Sequence, residues 1–262
     1  MGSVLSGRAV IAVGGEARVA FLEGLLSCSV EGLAPGEVRY GALLTPQGKI
    51  VSDMFLHGFA DRIALDVPSQ AAQDLARRLA MYKLRAAVTV ALTDEVVVVG
   101  DGPADPRAPG LGGRTIAPAG TEDGDAAAYH AARVARGVPD AVVDFPLGDA
   151  FPHDANMDLT GGVDFRKGCF VGQEVVSRMR HRGTARRRTI IVEADGPLPE
   201  TGAAVTAGGR EAGRLGTVVG NAGLATVRID RVGDVAEAGG IAVRLRVPEG
   251  APFALGKADA DG

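Results

Sequence analysis

Two kinds of hydrophobic pattern divide the chain into an earlier and a later part. Between residues 8 and 136, strand-like apolar runs alternate with segments whose apolar residues recur every three or four positions, which is typical of amphipathic helices. From about residue 188 onward only short strand-like runs remain, separated by Gly and Asp at the spacing of a small barrel. The pattern therefore predicts an α+β region at 1–187 and an antiparallel β-barrel at 188–262.

The same pattern predicts the individual elements. Strands are predicted at residues 8–13, 38–45, 50–59, 62–67, 86–92, 96–99 and 115–117, and in the barrel at 189–193, 203–207, 214–219, 224–229 and 241–247. Helices are predicted at residues 15–26, 69–81, 125–136 and 175–179. Ser69 is the expected N-cap of the second helix. Pro46 and Gly48 predict a hairpin turn of type II or a near relative of it.

Charge is distributed unevenly along a chain of otherwise ordinary globular composition. Of the 262 residues, 46% are hydrophobic and 23% are charged, which excludes collagen, a coiled coil and general disorder. The net charge is −4, which argues against a uniformly basic nucleic-acid binder. Residues 164–188 nevertheless carry a net charge of +6, so the rest of the chain carries −10. The positive charge is therefore concentrated in one stretch.

Sequence features that report on the compartment are few. The two cysteines, Cys28 and Cys169, are too few for a disulfide framework or a four-cysteine metal site. No apolar run is long enough to span a membrane, and no basic segment followed by an apolar one predicts a signal peptide. We therefore expect a cytoplasmic protein with two free thiols and no membrane partner.

The stretch around Cys169 contains the densest candidate chemistry. Cys169 follows Arg166 and Lys167 and precedes Gln173 and Glu174, which open a helix-like run. A thiol near cations and a helix N-terminus has reasons for a lowered pKa, which would make it a reactive thiolate. Cysteine is also among the most commonly buried residue types, where it packs as a small hydrophobic side chain. The spacing by itself favours neither interpretation.

The run Lys167-Gly-Cys-Phe-Val-Gly-Gln-Glu174 resembles the K-G-C-[YF]-x-G-Q-E signature of YgfZ-type folate-binding proteins. These are relatives of the glycine-cleavage aminomethyltransferase and include a mitochondrial iron–sulfur assembly factor. Further similar segments are residues 42–50 with Asp53, 82–85, 178–183 with 186–188, 213–219 and 223–228. The resemblance implies a GcvT-like fold of two interleaved α+β subdomains and a C-terminal β-barrel around a folate-binding cavity.

The resemblance also implies a role and a set of residues. The implied role is an accessory protein of iron–sulfur cluster assembly or repair, with tetrahydrofolate or a derivative as ligand. Cys169 and Lys167 are the expected reactive groups, and no metal site is expected. The expected folate contacts are Gln173, Glu174, Arg178, Arg182 and Asp53. Carboxylates and amides suit the pterin, and arginine suits the glutamate tail.

Several alternatives remain open at this stage. The chain could instead be a true aminomethyltransferase, and whether it is an enzyme is undecided. The basic residues 178–188 could bind the folate tail, dock an iron–sulfur client or assembly protein, or be solvated. A nucleic-acid-binding module is disfavoured by the acidic balance and the lack of interleaved aromatic residues. Ser27-Cys28-Ser29 departs from the Thr-Asn-Asp-like segment of many family members, and Cys28 is expected to be packed.

Overall fold

The computed structural model describes residues 2–121 and 124–256. The chain folds into two compact units that alternate along the sequence. The first unit comprises residues 1–129 and 160–173, and the second comprises residues 130–159 and 174–262. The predicted division of the sequence at residue 187 stays a prediction. Within the described residues, no helix is both long and apolar enough to cross a membrane.

The first unit is built on two antiparallel sheets. Its elements are β1 (Ser3–Val4), β2 (Arg8–Gly14), α1 (Arg18–Glu23), β3 (Val38–Leu44), β4 (Ile50–Gly58), β5 (Arg62–Pro68), α2 (Ser69–Tyr82), β6 (Thr89–Leu92), β7 (Val96–Ala104) and β8 (Gly113–Ala117). One sheet has the strand order β3-β4-β5-β2-β6, and the other has the order β1-β7-β8. The mixed α and β composition predicted for this part of the chain is confirmed.

Helix α2 shows how the apolar pattern forms the core of the first unit. Its spacing buries Ala72, Leu75 and Leu79 in one cluster with Ile11 and Leu65, which pair across β2 and β5. The predicted N-cap is wrong, because the helix already includes the serine at its start and no side chain caps its first turn. The helix therefore depends on packing rather than on a capping hydrogen bond.

The turn at residues 45–49 connects β3 and β4 and packs against the loop at residues 164–173. The Gly48 N–H donates to the Thr45 carbonyl, and the Thr45 N–H donates to the Lys49 carbonyl. Gly48 has a φ of +78°, whereas Gln47 is not among the residues with positive φ, so the turn is not of type II. A type I turn followed by a left-handed glycine explains the extra residue and the adjacent irregular register.

The second unit contains a closed antiparallel barrel, as predicted. The remaining elements of the chain are α3 (Ala127–Arg136), α4 (Gln173–His181), β9 (Arg187–Glu193), β10 (Ala204–Ala207), β11 (Arg210–Val219), β12 (Ala222–Arg228), a 3₁₀ turn (Ile229–Arg231), β13 (Val235–Ala238) and β14 (Ile241–Arg246). The strand order around the barrel is β10-β11-β12-β9-β14-β13. Alternate residues such as Ala225 and Val227 fill the interior.

Strand β13 and the end of β7 lie outside the predicted elements. In β13 the alternation is present but weak, because two alanines, Ala236 and Ala238, are its buried residues. Strand β7 continues from Val99 to Ala104 through two glycines and a proline, a composition that normally indicates a loop. Pairing with β8 on both sides of an irregularity holds this segment in the sheet. Tertiary pairing here overrides local propensity.

Candidate functional site

The loop at residues 164–173 of the first unit presents the motif cysteine to solvent. Cys169 is exposed, and its neighbour Phe170 is buried. Helix α4 begins at Gln173, three residues after Phe170, and the Gln173 N–H donates to the Phe170 carbonyl. Of the two interpretations of Cys169, the structure therefore has the accessible thiol and not the packed one. Its chemical reactivity stays a prediction.

Lys167 anchors this loop to the segment that follows α1. Its Nζ donates to the backbone carbonyls of Glu23, Leu26 and Cys28 at 2.7, 2.8 and 2.8 Å. The same atom lies 3.2 Å from the Glu23 carboxylate and 5.5 Å from the centre of the Phe170 ring. A lysine ammonium has three protons, so the three carbonyls occupy its donors. This geometry makes Lys167 a positioning residue for the loop that carries Cys169.

The Glu23 carboxylate ties the anchor to its surroundings. It accepts hydrogen bonds from the Val30 and Glu31 N–H groups and pairs with Lys167. Burial by itself would raise the pKa of Glu23, but these hydrogen bonds and the lysine charge hold the pKa below its usual value. Glu23 therefore stays ionised and keeps Lys167 in place.

The two glycines that flank Cys169 have different roles. Gly172 has a φ of +81°, and a Cβ added there would lie 2.5 Å from the Thr45 carbonyl oxygen. Only glycine therefore allows the loop to pack against the β3–β4 turn. A Cβ added at Gly168 would meet no atom within 4 Å. The space beside the exposed Cys169 is thus open, and Gly168 is not required by packing.

Cys28, the second cysteine, is a packed residue, as expected. Its side chain is buried, and burial raises the pKa of the thiol to about 12. A Cβ added at Gly41 of the neighbouring strand would lie 2.3 Å from the Cys28 Sγ, so the sulfur occupies the space that this glycine leaves. Cys28 is therefore neutral at physiological pH, and its thiol is inaccessible, whereas that of Cys169 is exposed.

Asp53 belongs to a buried group of charges that sequence reasoning missed. We call this group the buried ion cluster; it consists of Arg8, Asp53, Asp66, Asp105, Arg107 and Arg114, all in the first unit. The Asp53 carboxylate accepts a hydrogen bond from the Tyr40 hydroxyl at 3.2 Å and lies 3.6 Å from an Arg8 nitrogen. Asp53 is fully buried, so any ligand that contacts it must also reach the interior of this cluster.

Asp66 is the centre of the buried ion cluster. Its carboxylate accepts from Arg8 Nε at 2.6 Å and from Arg114 Nε at 2.5 Å. Burial would raise the pKa of Asp66, but the Arg114 and Arg8 charges hold the pKa far below its usual range. Arg114 also lies over the Phe55 ring at 3.8 Å. The one sequence signal for this arrangement is an aspartate inside the apolar run Ile63–Val67.

Two further members of the cluster, Asp105 and Arg107, extend it toward Tyr129. Arg107 Nη2 donates to the Asp105 carboxylate at 2.9 Å and to the Tyr129 hydroxyl at 2.6 Å. Burial would raise the pKa of Asp105, but the Arg107 charge and hydrogen bonds lower it below its usual value. The cluster thus pairs three arginines with three aspartates and leaves little net charge inside the unit.

The remaining predicted folate contacts are not gathered around Asp53 within one unit. Gln173 is half-buried and ends the first unit. Glu174, Arg178 and Arg182 are exposed and belong to the second unit, and Glu174 pairs with Arg178 along α4. Arg188, the last residue of the basic stretch, is buried and pairs with Asp158 at 2.6 Å. Residues 178–188 therefore do not form a single solvated surface.

This architecture is the GcvT-like fold. It is similar to the glycine cleavage system aminomethyltransferase T from Bartonella henselae, with a TM-score of 0.75, 20% identity, and coverage of 94% of this chain and 84% of that one. Residues 186–253 match the family described as CAF17, C-terminal beta-barrel domain. The predicted GcvT-like fold with its C-terminal antiparallel barrel is confirmed.

Relatives that are similar over most of their length show which family this chain belongs to. The mouse protein "Iron-sulfur cluster assembly factor IBA57, mitochondrial" is 32% identical over 87% of this chain and 77% of its own. The human protein of that name is 30% identical over 96% of this chain and 82% of its own. A homologue from Pyricularia oryzae is 30% identical, covering 89% and 73%. The chain belongs to the CAF17/IBA57 family of iron–sulfur cluster assembly factors.

The expected cytoplasmic location is wrong, because each of these three relatives is named as mitochondrial. The expectation depended on free thiols and on the lack of a recognisable leader pattern. Reduced cysteines are compatible with any reducing aqueous compartment, so this argument could not distinguish the cytosol from the interior of an organelle.

Proposed function

We propose that this chain acts in iron–sulfur cluster assembly by offering the Cys169 thiolate to a cluster that it shares with a partner protein. The observation that carries the proposal is the exposure of Cys169 on a loop that Lys167 anchors on one side and Gly172 on the other. Family membership supports the assembly role, and the open space beside Gly168 supports close approach by another protein.

The number of cysteines determines how the chain could handle a cluster. It has two cysteines, and Cys28 is buried with a pKa of about 12. Iron–sulfur clusters are commonly held by four protein ligands, most of them thiolates. Cys169 could therefore supply one ligand, and a partner must supply the others. In this proposal the cluster is cargo, and Cys169 must lose its proton before it binds iron.

Rescue of cells that lack the family's assembly factor tests the role of Cys169. Wild type is expected to restore the activity of an iron–sulfur enzyme, whereas Cys169→Ala is not. Cys28→Ala is the matched control, since it removes the other thiol and should still rescue. Gly168→Ala should keep the fold, because a Cβ there has free space, and it reports on the close approach of a partner. Full rescue by Cys169→Ala would reject the proposal.

Alkylation of the purified native protein tests the exposure that the proposal requires. Iodoacetamide is expected to modify Cys169 at neutral pH and to reach Cys28 only after denaturation, because the latter is buried and stays protonated. Mass spectrometry of the digested protein separates the two sites. Equal labelling of both cysteines in the folded protein would contradict the structure, and slow labelling of both would contradict the proposal.

A finer part of the proposal is that the chain binds tetrahydrofolate or a derivative. Its support is the motif resemblance around Cys169 and Gln173. Neither unit by itself contains the full predicted set, since Asp53 is buried in the first unit and Arg178 is exposed in the second. We therefore assign no chemical step to folate. A rise in melting temperature with 5-formyltetrahydrofolate, reduced in Asp53→Asn, is the expected result; no shift at saturating ligand would reject it.

The alternative activity is aminomethyl transfer to tetrahydrofolate. The shared fold with an aminomethyltransferase is the one observation that favours it. An assay that supplies a lipoyl-bound aminomethyl group and measures methylenetetrahydrofolate tests it directly. Turnover that is equal in wild type and Cys169→Ala, together with cellular rescue by that variant, would favour the enzyme over the assembly factor.

A further inference from the structure

The barrel of the second unit carries a cavity that the proposed function does not use. Its volume is about 370 Å³. It is lined by Pro146, Arg187, Glu211, Ala212, Gly213, Arg214, Thr226, Arg228 and Arg231. Four of these nine residues are arginines, and the size falls in the range of small-molecule sites. We call it the arginine cavity.

The strand register explains why three of these four arginines lie together; the fourth, Arg231, belongs to the 3₁₀ turn that follows β12. Arg187 of β9 lies directly opposite Arg228 of β12, and Arg214 of β11 lies directly opposite Thr226. Opposite residues share a face of the sheet, and Thr226 and Arg228 are two positions apart on the same strand, so all four side chains share one face. Like charges directly opposite each other are destabilising. The barrel nevertheless places two arginines in this arrangement.

Only part of this charge is neutralised by the chain itself. Arg228 pairs with Asp230 through two contacts at 2.6 and 3.0 Å, and Arg214 pairs with Glu211 at 2.9 Å. Arg187 and Arg231 are exposed, and neither makes an ion pair or side-chain hydrogen bond with any residue in 2–121 or 124–256. About two positive charges therefore remain at the cavity.

Two lining residues of the arginine cavity, Thr226 and Gly213, are held in place by the surrounding chain. The Thr226 hydroxyl donates to the Asp144 carbonyl at 2.9 Å and lies 3.3 Å from the Thr189 hydroxyl. A Cβ added at Gly213 would lie 2.2 Å from the Thr226 carbonyl oxygen, so the two strands approach closely at this point. A cavity with a fixed threonine and two guanidinium groups that have no partner in 2–121 or 124–256 is suited to a ligand that brings negative charge.

We propose that the arginine cavity binds a small anion with at least two negatively charged oxygens, such as a phosphate ester or a polycarboxylate. Arg187 and Arg231 supply the free donors, because guanidinium groups bind such oxygens in pairs. Arg228 and Arg214 are held by their carboxylate partners and shape the sides. The lining residues all belong to the second unit, whereas Cys169 belongs to the first.

Calorimetric titration of the full chain at physiological ionic strength tests the site, with pyrophosphate and citrate as the probes. We expect at least one probe to bind wild type, and Arg187→Ala/Arg231→Ala to weaken it by about tenfold or more. Arg210→Ala, which removes another exposed arginine from β11, is the matched control and should bind as wild type does. Circular dichroism confirms that each variant is folded.

The results distinguish a phosphate ester from a polycarboxylate and include outcomes that would reject the proposal. Stronger binding of pyrophosphate indicates a phosphate ester, and stronger binding of citrate indicates a polycarboxylate. Arg187→Lys keeps the charge but loses the paired donors, so it should bind more weakly than wild type. The proposal fails if neither probe binds at about 10 mM, if Arg210→Ala weakens binding equally, or if only a glutamate-rich peptide binds.

Discussion

Arginine has opposite roles in the buried ion cluster of the first unit and in the arginine cavity of the barrel. In the cluster, the side chains of Arg8 and Arg114 are shielded from water and share the Asp66 carboxylate. In the cavity, Arg187 and Arg231 are exposed and unpaired within the described chain. The difference shows that the partner, and not the residue type, decides whether an arginine stabilises the fold or is available for a ligand.

The largest expected effect is loss of the carboxylate at the centre of the cluster. Asp66→Asn leaves Arg8 and Arg114 buried beside a neutral amide, so the free energy of unfolding should fall by about 3–5 kcal/mol. Chemical denaturation measures it. Asp74→Asn, which breaks an exposed pair with Arg77, should change little. A fall below about 1 kcal/mol for Asp66→Asn would break the comparison.

Removal of the Lys167 ammonium should have the next largest effect. Lys167→Met roughly keeps the length of the side chain but leaves three carbonyls without this donor and the Glu23 carboxylate without its cation, which should cost about 2–3 kcal/mol. Denaturation measures the loss, and proteolysis within residues 164–173 reports on the loop. Equal stability of the variant would show that Lys167 is not an anchor.

A pH series separates the two units. Burial lowers the pKa of His153, in the second unit, to about 4, so between pH 6.5 and 4 the unfolded chain binds a proton that the folded chain excludes. His153 should therefore make stability fall by about 2 kcal/mol from pH 7.5 to 5. His153→Gln should remove most of this slope and leave the part due to His130, whose pKa is also lowered by burial.

Asp66, at the centre of the buried ion cluster, should not change the free energy of unfolding in that pH window. The pKa of Asp66 is lowered on folding, so its contribution is complete above the unfolded value near pH 4 and declines only below it. A slope above pH 5 that is as steep in His153→Gln as in wild type would show that His153 is not its main source.

The smallest expected effect is a gain in the barrel. Arg187→Thr removes one of two directly opposed positive charges, so stability should rise by about 0.2–0.5 kcal/mol at low ionic strength. The gain should shrink as salt is added, since salt screens exposed charges. Arg210→Thr serves as the control. A loss of stability instead would mean that Arg187 packs favourably against its neighbours in the absence of any anion.

Local sequence was sufficient for the barrel and for most helices and strands, because alternation and helical spacing are local signals. It was not sufficient for the site. Lys167 and Glu23 are 144 positions apart in the sequence, and neither segment has a pattern that predicts their contact. The apolar run around Asp66 hinted at its burial, but the sequence did not show which arginines pair with it or with Asp53, because those partners come from other parts of the chain.

The exposure of Cys169 illustrates the same limit. The motif identified the residue, but its accessibility follows from Phe170 and Lys167, which are directed into the fold while the cysteine is not. Cys28 has the same side chain but is buried, because Gly41 of β3 leaves space for its sulfur. Neighbours that are distant in sequence made that difference.

The close approach of Gly172 to the Thr45 carbonyl has a consequence for protein engineering. We expect that the eight-residue run at 167–174 cannot be transplanted alone into another scaffold, because it packs against the backbone of a hairpin turn more than a hundred residues earlier. A successful graft would have to carry the β3–β4 turn and the segment after α1 along with the cysteine loop. The smallest unit that could be grafted therefore consists of three segments that are separate in sequence: the cysteine loop, the β3–β4 turn and the segment after α1.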